Sequence, residues 1–236
     1  MALSSSRMSV VIIVICFTFS LNMCVGTDYD YLALAHQWQP GYCRMPDIKF
    51  TCQKKVTDNF SIHGLWPSKH SGPQPRDCTT DGRGGYLDVN KMIGSLISNL
   101  KKSWPSSIGK DEDLWTYQWR THGTCYYDGN KHKQYKYFQT ADNFYKNFEL
   151  FNKLKAEGIV PVSGLGKNYT TEAAIKAIRK QYTQDTVTYI PQFMCSPFLP
   201  HELYEVILCL DHEGNHLINC TRPSTCGNLF LWKLEP

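Results

Sequence analysis

Cysteine usage constrains this chain more than any other feature. Ten cysteines occur in 236 residues, and two of them, Cys16 and Cys24, fall in an N-terminal stretch that does not read as fold. Arg7 precedes an apolar run from Val10 to Phe17, and small residues at Cys24 and Gly26 predict cleavage before Thr27. The run is far short of the roughly 20 apolar residues that span a bilayer, and no comparable run follows. The reading is a signal peptide over 1–26, a single domain over 27–236, and a secreted, extracellular product with no membrane anchor. Eight cysteines then remain: Cys43, Cys52, Cys78, Cys125, Cys195, Cys209, Cys220 and Cys226. An even number in an oxidising compartment predicts four disulfides. Eight cysteines allow 105 connectivities, and spacing does not choose among them. The absence of any Cys-x-x-Cys pair argues against zinc, so no metal is expected.

The stretch Trp115-Thr-Tyr-Gln-Trp-Arg-Thr-His-Gly-Thr-Cys125 carries the densest chemistry. Trp115, Gln118, Trp119 and His122 recur at steps of three and four, which predicts one face of a helix. Gly123 is expected to stop that helix by taking left-handed backbone angles. Alone, the pattern also describes a packed helix with a satisfied histidine. A second stretch, His63-Gly64-Leu65-Trp66-Pro67, sets another histidine at the end of the apolar run from Phe60 to Ile62. Two histidines near neutral pKa can work as a general acid and base.

Other elements follow from periodicity. Tyr29 to Trp38 alternates as a strand ending at Pro40 and Gly41, and Phe60 to Leu65 reads as a second strand stopped by Pro67. Ser68 to Gly85, rich in Gly and Pro, reads as exposed loop. Met92, Ile93, Leu96, Ile97 and Leu100 form a helical stripe within Leu87 to Trp104, and Phe144, Phe148 and Phe151 do so within Thr140 to Leu154. Thr170 or Thr171 can cap a helix through Gln181. Strands are predicted over Thr186 to Phe193, Leu203 to Leu210, Leu217 to Cys220 and Leu229 to Trp232. Helices and strands cluster rather than alternate, which argues for α+β. The expected fold is one domain with a mainly antiparallel sheet packed against several helices.

Loss of Arg7 with the leader lowers the formal net charge from +4 to +3, too little by itself to argue for nucleic acid. The local distribution says more. Lys69, His70 and Arg76 follow the first histidine stretch, while Lys131, Lys133 and Lys136 alternate with Tyr126, Tyr127, Tyr135 and Tyr137 after the second. Cations beside aromatics suit a phosphate backbone with unstacked bases. Asn59, Asn168 and Asn219 each open an Asn-x-Ser/Thr acceptor pattern, Asn219 being disfavoured because Cys220 should be tied in a disulfide. His201, His212 and His216 lie near Asp211, but Gly214 interrupts any helical presentation, and they read as loop residues.

In its two histidine stretches the chain resembles the ribonuclease T2 family of secreted endoribonucleases. The family segment His-Gly-Leu-Trp-Pro is unbroken at 63 to 67. The segment Trp-x-x-Glu-Trp-x-Lys-His-Gly-Thr-Cys is matched at 115 to 125 with Gln118 for the glutamate and Thr121 for the lysine. The likeness extends to Gln37, Trp38 and Cys43 after the first strand and to Leu203–Cys209, covering about residues 28 to 232. It implies the pairs Cys43–Cys52, Cys78–Cys125, Cys195–Cys226 and Cys209–Cys220.

The resemblance also implies a chemistry. Single-stranded RNA would be cleaved by its own ribose 2′-hydroxyl through a 2′,3′-cyclic phosphate, with His122 as base, His63 as acid and no cofactor. Gln118 would hydrogen-bond a phosphate oxygen, Trp66 would stack on a base, and Gln37, Thr121 and Arg120 would lie at the substrate. Thr121 carries no charge, so Arg120 is the neighbouring candidate for the missing cation. Ser68 stands where fungal relatives often have an aspartate, which leaves base preference open. Within the family the charge, the Asn59 acceptor site and the substituted second segment look most like a plant S-RNase. That branch implies a monomer acting in self-incompatibility, a pollen-side recognition protein of F-box type as partner, and allelic specificity near residues 69 to 85. An S-like ribonuclease for phosphate scavenging or defence, or a secreted storage or binding protein that has lost the chemistry, are the alternatives.

Overall fold

The computed structural model describes residues 29–46, 52, 57–79, 85–126, 134–180 and 189–235. The stretch read as a leader and the cations Lys131 and Lys133 lie outside the described residues, as does Tyr127. In chain order the elements are β1 (Tyr31–Gln37), α1 (Gln39–Cys43), β2 (Ser61–Ser68), α2 (Leu96–Ser103), α3 (Asp111–Thr121), α4 (Gln134–Phe148), α5 (Leu150–Ala156), β3 (Lys167–Thr170), α6 (Thr171–Lys180), β4 (Gln192–Cys195), β5 (Leu203–Leu210), β6 (Leu217–Ile218) and β7 (Leu229–Trp232). Short 3₁₀ turns occur at Val89–Lys91 and Gly123–Cys125. The class is α+β.

Among the described residues the main sheet runs β2-β1-β5-β4, with β6 also pairing β5, and its ladders are antiparallel. Alternate residues of a strand face opposite sides of the sheet, and here both sides are occupied. Leu32 and Leu34 of β1, with Val206, Leu208 and Leu210 of β5, face the helices and join the main core. Tyr31, Ala33 and Ala35, with Ile207 and Cys209, face the other way, where Trp66 and Met194 pack on them. That second face becomes the floor of the site.

β2 departs from strict alternation. Ile62 and Leu65 are three apart, so a regular strand would put them on opposite faces, yet both are in the main core. The ladder resolves the conflict: Gly64 pairs Ala35 while Ile62 pairs His36, leaving His63 as an extra residue. A bulge of this kind re-aims a side chain. β2 also runs on through Pro67 to Ser68 rather than stopping at the proline. It is the edge strand, where a residue without an N–H is tolerated.

The helices cover the core face. Trp104, at the end of α2, packs near Tyr137 and Phe138 of α4, and so does Trp119 of α3. Indole N–H groups tie these layers to the sheet: Trp115 donates to the Trp104 carbonyl (2.9 Å) and Trp104 to the His63 carbonyl (3.0 Å). α3 begins earlier than its aromatic stripe, at Asp111, with Asp111, Glu112 and Asp113 in the first turn, where acids suit the helix dipole. The small ladder β3–β7 adds Phe230 and Trp232 to the core, with Tyr169 packed against it.

Several expected elements are shorter or divided. Leu87 to Trp104 is not one helix: Gly94 adopts φ +66° ahead of α2, and Ile93 is 65% exposed instead of joining the stripe. Thr140 to Leu154 breaks between α4 and α5, where Glu149 has φ +51°. The expected strand over 217–220 ends at Ile218, because the Cys220 N–H turns to the Ile190 carbonyl (3.0 Å). β4 starts at Gln192 and continues to Cys195; residues 186–188 are outside the described set. Thr170 caps α6 through its hydroxyl, which accepts from the Ala173 N–H at 3.1 Å. α1, opened by Pro40 in its first turn, and the polar strand β3 escaped the sequence reading. All four disulfides implied by the family resemblance are present.

Candidate active site

The bulge, the end of α3 and the second face of the sheet meet at one cavity of about 550 Å³. His63, Trp66, Gln118 and His122 line it together with Tyr31, Ala33, Met194 and Ile207 of the floor and with Arg76, Tyr117 and Arg222. Trp66 lies close to both histidines. Its ring centroid is 5.3 Å from that of His63, edge-on at 81°, and 5.6 Å from that of His122. The Trp66 indole N–H donates to Gln118 Oε1 at 3.1 Å. That bond fixes the amide so that its NH₂ end is left for other partners.

Two glycines allow the approach. A Cβ on Gly64 would stand 2.2 Å from the Trp66 indole nitrogen and 2.4 Å from Gln118 Oε1. A Cβ on Gly123 would stand 2.3 Å from the Trp119 ring. Gly123 has no positive φ and continues into a 3₁₀ turn, so close packing, not left-handed geometry, is what requires it. His122 is the residue between α3 and that turn, with its backbone N–H on the Gln118 carbonyl.

The two histidines have opposite surroundings. Burial first, then the Arg76 guanidinium and His63, push His122 down to about 3. It is therefore neutral at rest. His63 instead meets a carboxylate: its Nδ1 lies 2.6 Å from Glu205 Oε2. Glu205 sits on β5 with its side chain only 4% exposed, while that of His63 is 31% exposed.

Of the other residues singled out from the sequence, Thr121 is buried, and its carbonyl accepts the Asp77 N–H at 3.0 Å. Neither it nor Arg120, which is exposed, lines the cavity. Gln37 is buried in β1 as the register partner of Ser61 and Glu205. Asn59, Asn168 and Asn219 are all exposed. Among the described residues no group of three or more His, Cys, Asp or Glu is placed to hold a metal ion, and no helix is long and apolar enough to cross a membrane.

Sequence reasoning passed over Glu205, Tyr117 and Arg222, and it took Arg76 only as part of a basic surface. Glu205 carried a signal: it is one acid within the otherwise apolar run from Leu203 to Leu210, and a buried carboxylate requires a partner.

The family model described as Ribonuclease T2 family matches residues 29–220. The chain is 34% identical over 210 residues to "Intracellular ribonuclease LX" of Solanum lycopersicum, covering 85% of this chain and 81% of that protein. It is 31% identical over 219 residues to "Ribonuclease S-2" of Solanum tuberosum, covering 89% of each. The structure of RNase NT in complex with 5′-AMP superposes with a TM-score of 0.70 at 32% identity, covering 87% of this chain and 98% of that one.

Proposed function

The chain belongs to the ribonuclease T2 family, and from that premise we propose that His63 and His122 carry its endoribonuclease reaction and that it serves as a stylar S-RNase. The observation that supports the catalytic reading is the pair of histidines on one cavity, each ring near Trp66, with opposite surroundings. Groups held in contrasting environments divide naturally into base and acid.

RNA brings its own nucleophile. His122, neutral at rest, takes the proton of the ribose 2′-hydroxyl as that oxygen forms its bond to phosphorus. His63, protonated, delivers the Nε2 proton to the departing 5′-oxygen as the P–O5′ bond breaks. The products are a 2′,3′-cyclic phosphate and a free 5′-hydroxyl, and hydrolysis of the cyclic ester exchanges the two roles. Negative charge grows on the phosphoryl oxygens between these steps. Gln118, with its Oε1 held by Trp66, can direct its NH₂ to one of them. Arg76, on the cavity wall, supplies the cation that Thr121 lacks.

The test is product analysis with a dinucleotide substrate. His63→Ala and His122→Ala should each lose at least about 10²-fold in kcat, since one acid or base contributes roughly 10²–10⁴-fold. Folded variants that release cyclic phosphate at the wild-type rate would remove both assignments.

The biological role draws on the S-RNases among the similar proteins, on the leader-like N-terminus, and on the loop at 69–79 running beside the cavity. Secretion and glycosylation at the exposed Asn59 belong to the same proposal. Transcript confined to the style, with loop sequences differing between plants, is the expected result. Transcript induced in leaves and roots by phosphate starvation would instead favour the S-like reading.

A further inference from the structure

We propose that Glu205 is a positioning residue for the reaction: it holds His63 with the proton on Nδ1, so that Nε2 alone meets the leaving oxygen. This rests on the reading of His63 as the general acid. β5 lies inside the sheet between β1 and β4, and Ile207, two residues on from Glu205, lines the cavity. The carboxylate is nearly inaccessible, with His63 2.6 Å away. An ionised carboxylate can only accept, so the shared hydrogen is carried by Nδ1.

The backbone is built to deliver that contact. The bulge at His63 turns its ring onto the face of the sheet where Glu205 projects, with Ile62 and Leu65 left in the core. Trp104 fixes the His63 carbonyl from the opposite side (3.0 Å). One edge of the imidazole therefore faces the carboxylate, and the ring lines the cavity. In the transfer step the Nε2–H bond breaks as the O5′–H bond forms, and Nδ1 keeps its hydrogen throughout. The Glu205 charge counters the imidazolium before transfer and orients the neutral ring afterwards, as an aspartate does for the histidine of a serine protease. His122 has no such carboxylate among the described residues, in keeping with a group that must stay neutral until the 2′-proton arrives.

The leaving group discriminates positioning from general structural support. A dinucleotide expels an alkoxide that needs a proton, whereas a nucleoside 3′-(p-nitrophenyl phosphate) expels a phenolate that does not. Glu205→Gln should lower kcat on the dinucleotide by roughly tenfold or more, within the share of a general acid. KM should change little, and kcat on the aryl ester should stay within about threefold. In a His63→Ala background the same substitution should add nothing on either substrate. Equal losses on both substrates, or a further loss without His63, would make Glu205 merely structural and overturn the proposal. If His63→Ala itself shows no preference for the aryl ester, the general-acid reading fails instead. Nitrogen-15 NMR of the unmodified protein covers the case in which Glu205→Gln does not fold. Neutral His63 should carry its hydrogen on Nδ1, and finding it on Nε2 would overturn the proposal.

Discussion

Arg76 is the side chain whose position changes the expected chemistry most. The family's second histidine segment ordinarily carries a lysine where this chain has Thr121, and Thr121 is buried, with no part in the cavity wall. Arg120, the nearest cation in sequence, is exposed and does not line the cavity. Arg76 does, and it is among the groups that hold His122 down near 3. Two consequences follow from one substitution. Arg76→Ala should lower kcat on a dinucleotide at fixed salt by tenfold or more, because a donor aimed at developing charge contributes about 10²–10³-fold. It should also move the acid limb of kcat/KM upward. The base must be neutral to act, and removing the guanidinium lets His122 take a proton at higher pH. Arg120→Ala should leave both readings within about twofold. If Arg120 rather than Arg76 governs the rate, the cation has been placed on the wrong wall.

At the scale of elements, the site depends on how closely β2 and α3 approach. Gly64→Ala would drive a methyl into both partners of the Trp66–Gln118 hydrogen bond. Overpacking of this kind costs about 1–3 kcal/mol. Trp66 would have to leave its place beside the histidines, so Tm and kcat should fall together. A variant of full stability and full activity would show that Trp66 needs no such seat. The same approach explains what the sequence could and could not disclose. The two histidine stretches, the helical face of α3 and the disulfide count were readable because they are local patterns or come with a family resemblance. The bulge was not readable, since the phase conflict between Ile62 and Leu65 appears only once both are known to share a core. Glu205 was 142 residues from His63 in sequence, and only the β1–β2 and β1–β5 registers bring the two together. Gly123 was correctly expected at the end of α3 but for the wrong reason, as the Trp119 ring, unlike a backbone angle, leaves no local signature. The break at Glu149 was hidden in the same way: Phe144, Phe148 and Phe151 keep helical spacing across a residue that is itself left-handed.

For the molecule as a whole, a histidine that takes no part in the chemistry should make the fold sensitive to acid. His36 lies in β1 on the core face, 1% exposed, with its ring stacked near Tyr145 of α4 and Nδ1 3.2 Å from the Leu34 carbonyl. Its Nε2 is buried with no hydrogen-bond partner among the described residues. Burial dominates and pushes it down to about 4, against weaker opposition from the Leu34 and Val206 backbone. In the unfolded chain an ordinary histidine titrates near 6.5. Between these values the unfolded state binds a proton that the folded state refuses, so stability rises with pH across the window and falls as pH drops through it. At about 1.4 kcal/mol per unit, descending from pH 6.5 to 4 should remove about 3 kcal/mol, a large share of the 5–15 kcal/mol typical of a domain. His122, also held low, acts in the same direction. Urea midpoints of the disulfide-intact protein at pH 7, 5.5 and 4.5 should therefore decline steeply. His36→Phe keeps a ring against Tyr145 but cannot titrate, and its decline should be shallower by the equivalent of about one proton. Equal slopes for the two proteins would mean that the acid sensitivity arises elsewhere. A shallower slope in the variant, with unchanged kcat at pH 7, would separate the acid limit of the fold from the acid limit of the reaction, since neutral His122 keeps the base available well below the pH at which His36 begins to weaken the sheet.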